Sequence, residues 1–212
     1  MVIITIGLHH ILVLKQRMVE ILVDYLTNNM NLRNLSILLG LFSGIRVGEI
    51  CGLRWSDLDF VNNTLSVNRT AQRIKNLNDE SFSKTKLVVD KPKTESSIRV
   101  IPLPEILVSI LRKYKQENDC YVFTNNTIIP KDPRAVEKYF ASVLKRVGIK
   151  ELNFHSLRHT FATRLREQNV DIKVISELLG HSDWKITQSI YVHASLDYKR
   201  DSVDTFNRYL PC

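Results

Sequence analysis

At 212 residues, 44% hydrophobic and 25% charged, the chain is long enough to bury a sizeable core and too apolar to remain disordered. Its 30 Lys and Arg against 22 Asp and Glu give a formal charge of +8 and a pI near 9.4, a balance that suits a polyanionic partner without establishing one. Three scattered cysteines, Cys51, Cys120 and Cys212, support neither a disulfide framework nor a zinc knuckle, and they fit a reducing, cytoplasmic compartment.

In chain order, the opening run MVIITIGLHHILVL is too short to cross a bilayer, is interrupted by His9 and His10, and lacks a basic leader, so no membrane association is expected. VIITI reads as a strand or an irregular entry, and VLKQRMVEILVDYL as a core helix with Val19, Leu22, Val23 and Leu26 at helical spacing. LRNLSILLGLFS (32–43) predicts a buried helix ending before Gly44, and VGEICGLRW a second short helix stopped by SDLD. The period then changes. TLSVNRTAQRI, FSKTKLVVD and SIRVIPL are rich in β-branched residues and are separated by the turn sequences NLNDES and KPKTESS, which predicts a small antiparallel sheet.

Helices return at PEILVSILRKYKQEN, followed by a short strand at YVF (121–123) and a helix in DPRAVEKYFASVLKRVG. In that helix Asp132 is the N-cap, Pro133 occupies the first helical position and Gly148 closes the end. NFHSLRHTFATRLRE (153–167) carries a Leu157, Phe161, Leu165 stripe, DIKVISELLG runs from Asp171 to Gly180, and a last helix spans 198–210 with Val203, Phe206 and Leu210 on a narrow apolar face.

The chain contains no glycine-rich phosphate loop, no G-x-S-x-G and no C-x-x-C. His155 and His159 are spaced i, i+4, but no acid lies between them as in H-E-x-x-H, so no metal site is expected. What stands out is cationic. His155, Arg158 and His159 sit in the first turns of a helix, where the backbone already carries partial positive charge and an anion is favoured. Arg46 lies in SGIRVGE between Gly44 and Gly48, which allow a tight bend and a close ligand approach. Each also has a plainer reading: Arg46 as a solvated residue or the i+3 partner of Glu49, and His155 as an N-cap substitute or packed side chain. Glu49 itself either orients Arg46 or favours a helix start.

Four blocks, SGIRVGEICGLRWSDLDF, PKTESSIRVIPLP, FHSLRHTFATRL and ELLGHSDWKITQSIYVH, occur in an order that resembles the signature blocks of the tyrosine recombinases, the phage integrase family. The resemblance covers about residues 40 to 195. It implies a mainly α, α+β catalytic fold with a helical core, a small three-stranded antiparallel sheet and a β-hairpin insertion. It also implies catalytic roles for Arg46, Lys93, His155, Arg158, His181 and Tyr191. By this resemblance Tyr191 attacks a DNA phosphodiester to give a 3′-phosphotyrosyl intermediate, and a 5′-hydroxyl later rejoins the strand without metal, ATP or another cofactor. Arg46 and Arg158 correspond to the two family arginines, His155 and His181 to groups that bond the phosphate or exchange protons with Tyr191, and Lys93 to the general acid. Lys84, Lys86 and Lys91 lie near Lys93, which is singled out by its motif position. His159 is read as structural.

The residue types suit that chemistry. Guanidinium groups stay protonated and offer bidentate donors to nonbridging oxygens, and losing one preorganised donor in comparable sites costs roughly 3 to 4 kcal/mol of barrier. The stretch 72–92 resembles a hairpin insertion of conjugative-transposon integrases, with Arg73, Lys75, Lys84 and Lys86 contacting DNA backbone or a neighbouring subunit, or simply solvated. The expected organisation is a catalytic domain over 1–197 and a C-terminal helix over 198–212 exchanged between protomers. No separate N-terminal DNA-clamping domain is expected in this chain, because only about 40 residues precede the first block. The implied partners are double-stranded DNA and other recombinase protomers, in a bacterial cytoplasm. Two alternatives are a type IB topoisomerase-like enzyme and a DNA-binding module without catalytic activity.

Overall fold

The computed structural model describes residues 2–6, 9–76, 84–92, 94–150, 152–183, 185 and 187, with backbone alone for 2–12 and 95. The expected terminal helix over 198–210 and most of the NLNDES turn lie outside the described residues.

The core is built around one helix that is apolar nearly all round. Strands β1 (Val2–Ile6) and β2 (His9–Val13) form an antiparallel pair, followed by α1 (Gln16–Asn28) and α2 (Leu32–Ser43). The Asn31 side chain accepts from the amides of Arg33 and Asn34, which caps α2, and Gly44 ends it at φ 65°. Between those signals Leu35, Ile37, Leu38, Leu39 and Leu41 are all buried, the pattern of a helix covered on every side. Leu22 and Leu26 of α1 are buried in the same cluster. The short α3 (Val47–Gly52) follows, then a 3-10 turn at Trp55–Asp57. The helix expected through VGEICGLRW therefore stops early, because the Asp57 carboxylate accepts from the Arg54 amide and tightens the chain into a new turn that buries Trp55.

Strands β3 (Leu58–Asp59), β4 (Thr64–Val67) and β7 (Arg99–Pro102) make a three-stranded antiparallel sheet in the order β3-β4-β7. Leu65 opposite Ile101 turns both side chains into the core. Strands β5 (Thr70–Lys75) and β6 (Thr85–Asp90) form a separate hairpin. TLSVNRTAQRI is thus two strands rather than one. It breaks at Asn68 and Arg69, whose side chains both donate to the buried Asp57 carboxylate and turn the chain out of the first sheet.

Helix α4 (Glu105–Lys113) presents Leu107, Val108 and Leu111 to the core. The strand expected at YVF is instead a turn. Tyr121 makes isolated bridges to Arg54 and Asn126, and the chain reverses through Asn125 at φ 51° before a ladder can form. The three side chains are buried nonetheless, which is the apolar signal that the sequence displays. In α5 (Pro133–Arg146) Asp132 accepts from the Arg134 amide as the N-cap, and Phe140 packs edge-on against Phe154 at 5.4 Å.

Helices α6 (His155–Glu167) and α7 (Ile172–Leu179) share a second, smaller core of Ala162, Ile175 and Leu179 with Phe161 and Leu165 against it. The end of β2 is tied to α6, since the Leu14 amide donates to Thr160 and Arg164 donates to the Leu14 carbonyl. Among the described residues no helix is long and apolar enough to cross a membrane.

Gly44 joins the two cores. A Cβ there would lie 2.5 Å from Phe161 Cδ1 and 3.1 Å from Leu179 Cδ2, in a left-handed conformation. Gly44→Ala should therefore destabilise the protein by roughly 2 to 4 kcal/mol, adding the left-handed penalty to overpacking, as read from the urea midpoint.

Candidate active site

Arg46 is set by the reversal after α2. Ile45 turns into the core, Arg46 becomes the extended residue that opens α3, and its side chain remains 38% exposed. Glu49, one turn on and 4% exposed, accepts from the Arg46 amide at 2.8 Å and from its Nη1 at 2.9 Å. At Gly48 a Cβ would come within 2.7 Å of the Ala71 carbonyl oxygen, so glycine lets α3 lie directly on β5.

Arg158 is placed differently. One turn into α6, it is 2% exposed and donates through Nη1 to the Gly44 carbonyl at 2.9 Å and through Nη2 to the Leu179 carbonyl at 2.6 Å. It follows the buried Leu157 on the helix, and the end of α7 covers it. His155, at the start of α6, is exposed to a cleft of about 510 Å³ that is also lined by Arg46, Arg158, Thr70, Arg73 and Arg134. His181, directly after the Gly180 stop of α7, lines an adjoining cleft of about 340 Å³ with Arg46, Glu49, Pro92, Thr94 and Ser97. Arg46 lies on the wall that both clefts share.

Four of the six residues assigned from the sequence, Arg46, His155, Arg158 and His181, therefore converge. Lys93 and Tyr191 lie outside the described residues, although both neighbours of Lys93 line the His181 cleft. The basic residues of the hairpin do not share one face. The β5–β6 register puts Arg73 and Lys75 on one side and Lys86 on the other, with Lys84 beyond the ladder. Lys75, Lys84 and Lys86 are exposed, whereas Arg73 is paired with Asp132 at 2.9 Å and donates to Thr85 Oγ1 at 2.7 Å.

The electrostatics follow from this crowding of cations. Burial, then the charges of Arg158 and Arg46, bring His181 down to a pKa of about 3, and its Nδ1 lies 2.7 Å from Thr187 Oγ1. Desolvation and the same two arginines also lower His155. His159 packs edge-on against His155 with ring centroids 4.6 Å apart, and burial with the His155 and Arg158 charges brings it to about 4. Burial alone would raise Glu49, but hydrogen bonds and charge from Arg99 and Arg46 outweigh it and hold the carboxyl below its usual range. The site therefore presents ionised arginines beside neutral imidazoles near neutral pH, an arrangement suited to an oxyanion and a proton transfer.

Arg99 is the residue that sequence reasoning missed. It forms a two-pronged pair with Glu49, at 3.2 and 3.0 Å, and donates to the carbonyls of Leu178 and Ser97. A signal was available: strand alternation puts Arg99 on the same inward face as Ile101, and an inward arginine implies a buried acidic partner. Away from both clefts, Glu117, Asp119 and Cys120 bring three ligand-type atoms within 4.8 Å of one another, with both carboxylates exposed. Cys51 is buried, and its desolvated thiol is pushed far up, so it is not a nucleophile.

This constellation of arginines and imidazoles sits on a mainly helical fold with small antiparallel sheets. The chain belongs to the phage integrase family, whose model matches residues 13–197. It is 36% identical over 189 residues to a tyrosine recombinase XerC-like protein of Caldanaerobacter subterraneus subsp. tengcongensis, an alignment covering 80% of this chain and 48% of that protein. The tyrosine recombinase XerC of Bacillus pumilus is 32% identical over 79% of this chain and 52% of its own. The chain thus spans about half the length of these curated relatives. Among solved structures, the Tn1549 transposon integrase in complex with a circular intermediate DNA superposes with a TM-score of 0.74 at 23% identity, covering 94% of this chain and 67% of that one. That likeness establishes the fold, and it agrees with the expected resemblance to transposon integrases.

The lowered histidine values fix the sign of a pH effect. Relative to the ordinary 6.5, His159 at about 4 and His181 at about 3 bind protons less readily when folded, so the unfolded state takes up more protons between these limits. Their contribution to stability is complete above pH 6.5 and is lost as pH falls toward 4 and then 3. The urea midpoint should decline over that interval, and less steeply in His159→Gln than in the parent chain.

Proposed function

We propose that this chain cleaves and rejoins DNA strands as a site-specific tyrosine recombinase, with Tyr191 as nucleophile and double-stranded DNA as substrate. The observation that carries the reading is the convergence of Arg46, Arg158, His155 and His181 on two joined clefts that share Arg46. A phosphodiester placed there receives guanidinium donors on its nonbridging oxygens, and their charge grows more favourable as the pentacovalent transition state concentrates negative charge.

The Tyr191 phenol, ordinarily with a pKa of about 10, gives up its proton as its oxygen attacks phosphorus. A neutral imidazole, His155 or His181, accepts that proton or holds the phosphate. The bond from phosphorus to the 5′-oxygen breaks, and Lys93 supplies the proton that the leaving oxygen takes. A 5′-hydroxyl from another strand reverses the sequence, so the energy of the ester is kept and no nucleotide is consumed. The location of Pro92 and Thr94 in the His181 cleft supports Lys93 in the acid role. On the hairpin, Lys75, Lys84 and Lys86 offer exposed ammonium groups on different faces and Arg73 a guanidinium already held by Asp132, so they would contact DNA phosphates at separate points, positioning the duplex without reading its sequence.

The test uses a pool of nicked duplexes with randomised flanks, so that no target sequence need be known. Cleavage beside the nick releases a short strand and traps a covalent protein–DNA adduct, which should form in EDTA and vanish in Tyr191→Phe. Arg46→Ala and Arg158→Ala should each slow adduct formation by about 100- to 1,000-fold, the cost of removing a preorganised donor. An adduct of undiminished yield in Tyr191→Phe would show that the nucleophile is another residue. A DNA-binding module without activity gives no adduct at all, and a topoisomerase-like enzyme relaxes supercoiled plasmid as a monomer.

We further propose that the terminal segment 198–212 docks on a second protomer through Val203, Phe206 and Leu210, the helix-in-groove mode. A chain ending at Ala194 should then form smaller assemblies on DNA by light scattering, and equal masses with and without the segment would refute the exchange.

A further inference from the structure

The two arginines placed on the phosphate are not in one rigid element. Arg46 opens α3, whereas Arg158 lies in α6, and their separation depends on what joins α3 to the α6–α7 unit. Arg99 makes that junction. Its Nη1 and Nη2 take the two oxygens of Glu49, and the same two oxygens accept from the Arg46 guanidinium and amide. Its Nε donates to the Leu178 carbonyl at 2.7 Å, one peptide before the Leu179 carbonyl that accepts from Arg158. Adjacent carbonyls at the negative end of α7 thus each receive one guanidinium.

We propose that Arg99 is a positioning residue of the strand-cleavage site, setting the spacing of Arg46, Arg158 and His181 by bridging Glu49 to the C-terminus of α7. This role rests on the recombinase reading above.

Three further observations support it. The Arg99 side chain is only 7% exposed, so it is a buried bridge rather than a spare surface cation able to touch DNA directly. Its remaining contact, Nη1 to the Ser97 carbonyl at 2.9 Å, holds the short turn that follows Lys93. The chain passes over it closely, since a Cβ at Gly180 would stand 2.9 Å from Arg99 Nη1 and 2.9 Å from the Ser96 carbonyl oxygen. Gly180 immediately precedes His181, so the seat of that imidazole is formed against the Arg99 side chain. A planar fork with donors on three sides meets all of these acceptors at once, which an ammonium cannot do.

A merely stabilising arginine and a positioning one differ in how their loss combines with damage to Arg46. Single-turnover adduct formation on the nicked duplex pool is measured for the parent chain, Arg99→Gln, Arg46→Lys and the double variant, together with the DNA concentration giving half-saturation. Arg99→Gln is expected to slow cleavage by about 30-fold, a typical coupling for groups in one network, while half-saturation stays within about twofold. In the Arg46→Lys background, where the geometry being set is already lost, the same change should cost less than about threefold. An equal factor in both backgrounds, or an unchanged rate in Arg99→Gln, overturns the proposal. If Arg99→Gln does not fold, the cycle is run with Arg99→Lys, which keeps the charge but loses the fork, and the same comparison decides. A parent chain that forms no adduct overturns the recombinase reading itself, and with it this role, whereas an active parent with independent losses overturns the Arg99 role alone.

Discussion

Burying a guanidinium obliges a fold to supply acceptors for it, and Arg158 shows how far that demand reaches. A charge removed from water costs several kcal/mol even after relaxation unless it is well hydrogen-bonded. At 2% exposure, Arg158 donates to the carbonyls of Gly44 and Leu179, which come from the C-terminal ends of two different helices. Each of those helices ends in a left-handed glycine, Gly44 at φ 65° and Gly180 at φ 66°. The reversal leaves carbonyls near the helix end available to an outside donor, and the partial negative charge there suits a cation. α2, α6 and α7 are thereby held around one side chain, and the placement of the site is a consequence of satisfying it.

The same geometry creates an electrostatic imbalance. Arg46 and Arg99 share Glu49 as their acidic neighbour, and Arg158 adds a third guanidinium near enough for all three to lower His181, so like charges are held together here against their repulsion. Glu49 offsets part of this by accepting from both Arg46 and Arg99, which is why its own carboxyl stays ionised despite burial. The remaining positive potential faces the clefts. On the proposed reading, a phosphodiester entering the clefts would meet donors whose mutual repulsion has already been overcome during folding, so that cost would not fall on the chemical step.

How much of this was legible in the sequence depends on the range of the interaction involved. Helix ends were local facts: Asn31, Asp132 and Asp171 cap as their side chains suggest, and Gly44 and Gly180 stop their helices. The strand errors arose where a distant group intervened. Asp57 pulls Asn68 and Arg69 out of a continuous β-branched run, and Asn126 folds Tyr121 into a turn although Val122 and Phe123 are as buried as strand residues. At the site, the plain reading of Arg46 as the partner of Glu49 is what the structure shows, and that pairing leaves its side chain on the wall of the cleft, where the proposed function uses it. Ordered motif blocks located Arg46, His155, Arg158 and His181, whereas periodicity alone would have left each as an ordinary polar residue. Arg99 escaped because its partners lie 50 and 79 positions away, and only its inward parity on β7 hinted at them.

The histidines complete the logic of the cluster. An imidazole accepts a proton only when neutral, and in an exposed setting near pH 6.5 a sizeable fraction would already be charged. Burial and the adjacent guanidiniums move His181 to about 3 and lower His155 as well, so the neutral form of both is favoured. In the proposed reaction a bound phosphodiester would bring negative charge to the same cations, cancel much of their field and make the imidazoles more basic. Proton affinity would then rise as substrate arrives, at the moment when the proposed reaction takes a proton from a phenol. The arginines that lower these imidazoles are thus the same ones proposed to stabilise the phosphorane, and altering either would change both charge stabilisation and proton transfer. Losses from substitutions within the cluster should for that reason be read as properties of the network and not apportioned residue by residue.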